Sequence, residues 1–190
     1  MTEDEWGKNI IKPKLNKLLK ACPGQYEAEY RSKLCYSNEV IEYKDNTAQC
    51  KEIDYETDLL VFEWINDDTW KPRVVIELKV ENFSSHEAIA YDKKAQCHKN
   101  VHPYLRYGVF LANVNGQGLA PRLLRHGDNF DFLLAWNSCK GTSEEWDTLG
   151  QMIKHEIKAS QTIEEVLYTN RNKDRKIYNL FHRQLVATSV

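Results

Sequence analysis

Nothing in this chain is apolar over a stretch long enough to cross a bilayer. Its first residues, MTEDEWGKNII, are acidic and lack the apolar run of a secretory leader. Cysteine is sparse: Cys22, Cys35, Cys50, Cys97 and Cys139 are odd in number and scattered, which speaks against a disulfide framework. These absences exclude the membrane-spanning and disulfide-stapled classes and imply a soluble protein of the cytoplasm. A surplus of one charge is missing too. With a net charge of −2 there is no overall pull toward nucleic acid, so any polyanion would have to be met by a local basic face. Internal repeats, low-complexity tracts and linkers are also absent. What is present is ordinary for a folded domain: 42% hydrophobic and 28% charged residues, with aromatics spread along all 190 positions. That length suits a single domain with a real core.

The order of elements follows from periodicity. Residues 3–20 read as a helix with Trp6, Ile10, Leu15 and Leu18 on one side and a kink at Pro13. Residues 26–37 and 38–44 alternate as strands, and the polar stretch Asp45 to Lys51 reads as a loop. Strands follow at 55–65 and 73–81, joined by the turn-like NDDTWKP and expected to be antiparallel neighbours. A helix capped by Ser84 or Ser85 runs to the region of Pro103. Then come a nearly continuous apolar strand, RYGVFLANV, a loop, NGQGLAPRLLRHGDN, and a strand, FDFLLAWNS. Thr142 with Glu145 opens a helix, Thr162 with Glu165 signals another, and YNLFHRQLV closes as a helix. The expected fold class is α/β, a central mixed sheet flanked by helices, with a C-terminal helical region over 142–187.

One strand raises a chemical question. In VVIELKVE, Val74, Ile76, Leu78 and Val80 share a face, so Glu77, Lys79 and Glu81 line the other. Three charges in a row on a central strand are costly unless solvent, metal or substrate meets them. On the preceding strand the same alternation groups Glu56, Asp58, Leu60 and Phe62. Paired strands lie about 5 Å apart, so Asp58 is expected to share a face with Glu77 and Lys79. Two such carboxylates either share a proton or hold a cation. An all-oxygen pair with room for water suits Mg²⁺, and an ammonium about 7 Å along the strand can stabilise a phosphate under attack. The plainer alternative is an edge strand bearing solvated charges.

Asp58, an intervening turn, then Glu77-Leu78-Lys79 on the next strand resemble the PD-(D/E)xK nucleases, which include many type II restriction endonucleases. The succession of helix, hairpin, helix and strand over residues 1–137 also looks like that family's core. Thr57 stands where the family label has proline. The resemblance implies a single Mg²⁺-dependent DNA endonuclease domain with a restriction-endonuclease-like core. Asp58, Glu77 and the Leu78 carbonyl would be metal ligands, and Lys79 the acid or base beside them. It further implies an acidic residue on the first helix, for which Glu5 is the nearest candidate. A homodimer is expected if the target is palindromic. The alternatives are a repair or structure-selective nuclease of the same fold, and a non-catalytic nucleic-acid-binding or interaction module.

Other residues fit a supporting role. Tyr91, Lys94 and His98 share one face of their helix, and Lys94 or Gln96 is placed to reach a phosphate, unless that face meets solvent. Arg122 and Arg125, between glycine-marked turns, are candidate DNA contacts, as is the basic run NRNKDRK at 170–176, which equally suits a solvated face. Cys97, His98 and His102 suggest zinc, but no second pair at ligand spacing accompanies them.

Overall fold

The computed structural model describes residues 1–169, 173, 176–180, 182, 186 and 187. The chain opens with α1 (Glu3–Trp6), where Thr2 Oγ1 accepts from Glu5 N and the Glu5 carboxylate accepts from Thr2 N, a reciprocal cap. A turn of π-helix (Gly7–Ile11) separates it from α2 (Lys12–Leu19). The interruption expected at Pro13 therefore falls just ahead of it. Pro13 sits in the first turn of α2, where its missing N–H costs nothing. Gly7 is needed there, because an added Cβ would lie 2.4 Å from the Tyr30 ring.

Two long strands come next, β1 (Tyr26–Lys44) and β2 (Thr47–Trp64), paired antiparallel from Tyr26↔Glu63 to Lys44↔Thr47. The two stretches 26–37 and 38–44 are thus one strand, bent by register shifts after Cys35 and Val40. The loop expected over Asp45–Lys51 shrinks to Asp45 and Asn46. Both are left-handed, at φ 49° and 61°, the geometry of a tight turn matched to strand twist. Strand β3 (Trp70–Val80) pairs antiparallel with β2, as its hairpin spacing implies. Glu81 does not continue it. Its φ of 72° turns the chain out of the strand.

Helix α3 (Ser85–Val101), capped by Ser84 with Glu87, crosses over to β4 (Arg106–Ala112), parallel to β3. The connection expected as a loop contains a short helix, α4 (Pro121–His126), before β5 (Phe132–Trp136), parallel to β4. Helix α5 (Ser143–Tyr168) runs unbroken for 26 residues. Thr162 starts no new helix, because its hydroxyl bonds back to the Lys158 carbonyl inside α5. Of the closing stretch expected as a helix, Tyr178–Leu180, His182 and Val186 are described and none is helical. The remainder lies outside the described residues, as do Arg171 and Arg175 of the basic run.

The result is a five-stranded mixed sheet, ordered β1-β2-β3-β4-β5, between two helical layers. Strand alternation sorts the core. Leu59, Val61, Val74, Ile76, Leu78 and Phe110 pack against Trp6, Ile11 and Leu15 of the N-terminal helices and Ile153 of α5. The opposite face, with Leu60, Val75, Tyr107, Val109 and Leu111, receives Ala88 and Ala95 of α3 and Leu123 of α4. The odd-numbered face of β3, including Glu77, lies toward α3.

Candidate functional site

Pairing of β2 with β3 runs from Trp64↔Trp70 to Leu59↔Ile76, and beyond that the strands part. A parted strand edge exposes backbone donors that need partners. Two acids supply them. Asp58 Oδ2 accepts from Leu78 N at 2.8 Å, and Glu3 Oε2 accepts from Val80 N at 3.2 Å. N–H and C=O of one strand residue point the same way, so the Leu78 carbonyl is directed into the same fork. Half-buried Asp58 lies close enough to Glu77 for its charge to act on that carboxyl.

Glu77 is 1% exposed. Its Oε1 takes the Lys94 ammonium at 2.8 Å and also accepts from the Tyr107 hydroxyl, while Oε2 is buried with no partner. Burial pushes its carboxyl up to about 7, and the charge of Asp58 adds to the rise; Lys94 and the Tyr107 hydroxyl pull the other way. The interaction runs both ways, since Tyr107 is pushed well above the usual phenol range by burial and by Glu77. Lys94, 12% exposed, also lies 4.8 Å from the Tyr55 ring centroid and 5.7 Å from that of Tyr91. The face of Tyr91, Lys94 and His98 thus turns toward the sheet and not to solvent. His98 is fully buried, with Nδ1 3.1 Å from the Cys35 carbonyl and no partner at Nε2. Among the described residues no cluster of three or more His, Cys, Asp or Glu is placed to hold a metal ion.

Lys79 faces other acids than those its spacing suggested. Its Nζ lies 2.8 Å from Glu87 Oε1 and 3.1 Å from Glu3 Oε2. Burial alone would lower the ammonium, but hydrogen bonds to Glu87 and Glu3 outweigh it and the net shift is upward. Glu87 is held down at about 2, first by Lys79 and then by the Ser84 cap. The acid that α1 contributes is therefore Glu3. Glu5 is occupied as the capping carboxylate, and the Thr-x-x-Glu spacing that makes it so is visible in the sequence.

The structure thus gathers Asp58, Glu77, Leu78 and Lys79 at one fork and adds Glu3, Lys94 and Tyr107. Gln96 stays outside it, exposed and accepting from Lys93 at 2.7 Å. Arg122 and Arg125 are exposed on α4, which packs against the same sheet face as α3. No protein-family model and no curated protein matches the chain.

Proposed function

We propose that the chain is a Mg²⁺-dependent endodeoxyribonuclease of the PD-(D/E)xK kind, with the fork between β2 and β3 as its centre. The observation that carries the reading is the buried, unpartnered Oε2 of Glu77 beside the charge of Asp58. A carboxylate oxygen kept from water and from donors calls for a proton or a cation. The donor set fits Mg²⁺, which binds through one or two carboxylates and completes its shell with water and substrate phosphate. Asp58, Glu77 and the Leu78 carbonyl would hold it. When bound, it neutralises charge on the phosphate and acidifies water in its shell.

The chain's own residues divide the remaining work. Lys79, kept protonated by Glu3 and Glu87, donates to a phosphate oxygen and acts as an acid, not as a base. Lys94 offsets the negative charge of Glu77, and Tyr107 fixes that carboxylate's orientation. Arg122 and Arg125 offer forks for the DNA backbone. Supercoiled plasmid with Mg²⁺, beside Asp58→Asn and Lys79→Ala, tests the reading. Cleavage by the parent and a loss of at least about 100-fold in both variants is expected. Intact plasmid with the parent, or equal cutting by all three, overturns it. Discrete fragments favour a restriction enzyme and a two-fold dimer, whereas structure-dependent nicks favour repair. A second reading, a non-catalytic nucleic-acid-binding module, draws on the ion pairs that already occupy both Lys79 and Lys94.

A further inference from the structure

Beyond Leu59 the hairpin of β1 and β2 leaves the sheet and leans onto α3, where the Cys35 carbonyl meets His98 Nδ1. This brings two tyrosines to the rim of the carboxylate fork. Tyr36 and Tyr55 have ring centroids 5.4 Å apart at a tilt of 36°. Tyr36 is braced from below by the edge of His98 at 5.4 Å, and His98 in turn stacks on Tyr107 at 5.9 Å. Tyr55 remains 51% exposed. The Lys94 ammonium that lies over its ring also pairs with Glu77, so ring and carboxylate share one amine.

What sets this ring apart is its place at the rim of the carboxylate fork with a second tyrosine beside it, and the surroundings restrict what it could meet. On this arm the exposed acids Glu52, Asp54 and Glu56 are matched by the exposed bases Arg31, Lys33 and Lys51, with Arg31 3.7 Å from Glu56, so the local charge balances and gives a phosphate no strong attraction. A base face carries no charge and stacks on tyrosine whatever its sequence. We infer that Tyr55, backed by Tyr36, is a stacking platform for an unpaired nucleobase, so that the strand entering the fork is single-stranded beside the scissile phosphate. The inference rests on the nuclease reading for the phosphate's destination, but the stacking itself does not require cleavage. Lys94 joins platform and fork, pairing with Glu77 while lying over the Tyr55 ring.

The test is binding in EDTA, followed by fluorescence anisotropy. The probes are a labelled oligothymidylate, a strand of equal length made of abasic deoxyribose, and a blunt duplex. The parent should bind the thymidylate more tightly than either other probe. Tyr55→Ala should weaken thymidylate binding by about 5- to 150-fold, the range that base–aromatic stacking spans, and leave the abasic strand unchanged. Tyr55→Phe should bind as the parent does. A parent that prefers duplex, or a Tyr55→Ala variant that weakens both strands equally or neither, overturns the platform. Cleavage with Mg²⁺ is scored separately. Strand binding that depends on Tyr55 without any cutting upholds the platform and removes the nuclease, and cutting that ignores Tyr55 does the reverse.

Discussion

Replacing Glu77 by glutamine should stabilise the protein at high pH while abolishing the proposed DNA cleavage. The carboxyl stands at about 7 in the fold against an ordinary 4.5, so between those values the folded state binds more protons than the unfolded chain. Stability linked to Glu77 is therefore fully present below pH 4.5 and is lost as the pH rises through 7. Integrating over the two values, the penalty grows by about 2–3 kcal/mol between pH 5 and pH 8. Glutamine keeps the shape and carries no charge, so Glu77→Gln escapes that penalty. Lys94, 12% exposed, loses a charged partner but keeps a neutral amide oxygen as acceptor together with the Tyr55 and Tyr91 rings. The measurement is urea unfolding of parent and variant in EDTA at a series of pH values. Their difference isolates Glu77, because other titrations cancel. The variant's advantage should widen from pH 5 to pH 8, equivalent to about 5–10 °C in midpoint for a chain of this size. Mg²⁺ should raise the melting temperature of the parent and leave that of the variant unchanged. A difference that is flat with pH, or a variant less stable at pH 8, would refute the account of a charge buried at a cost.

His98 should act in the opposite sense: burial lowers it to about 4 from 6.5, so its contribution is present above pH 6.5 and lost as the pH falls through 4. Relative to His98→Phe, the parent should lose about 2 kcal/mol between pH 7 and pH 5, read from chemical unfolding; equal acid sensitivity in both proteins would contradict this. Arg73, 3% exposed, pairs with Glu63 and Glu164 at 2.6 Å each, so Arg73→Ala leaves two acids without their shared cation and should cost about 3–5 kcal/mol in urea unfolding. Adding Glu164→Gln to Arg73→Ala should recover part of that loss, and no recovery would point to lost packing.

What could be read from the sequence was whatever one buried face imprints on it. The apolar half of β3 made its alternation plain, and the charged half exposed the conflict that marks the fork. The hairpin arm left a readable imprint over 38–44 but none on its return from Thr47. With neither face covered by helix, its residues from Thr47 onward are mostly exposed and read as loop, although the adjacent Asp45 and Asn46 carry the turn. On α3 the inward residues include Lys94 and His98, which sequence cannot tell from a solvent-facing stripe because both arrangements look polar. Tyr107 lay in the apolar strand RYGVFLANV, where nothing in the spacing singled out its hydroxyl. Its role as donor to Glu77 follows only from the parallel register that sets β4 beside β3.

The separate features of the site share one cause. Had β2 stayed paired with β3 past Leu59, the Leu78 and Val80 N–H groups would have met backbone carbonyls, and Asp58 and Glu3 would have had no donors to cap. The hairpin leaves the sheet there and settles on α3. That movement opens the edge those acids occupy and lays Tyr55, with Tyr36 beside it, over Lys94. The overhang meets α3 through the Cys35 carbonyl on His98 Nδ1 and through Leu34 packed with Ala95. His98 thus ties the overhang to the helix that carries Lys94, linking the tyrosine rim to the carboxylate fork.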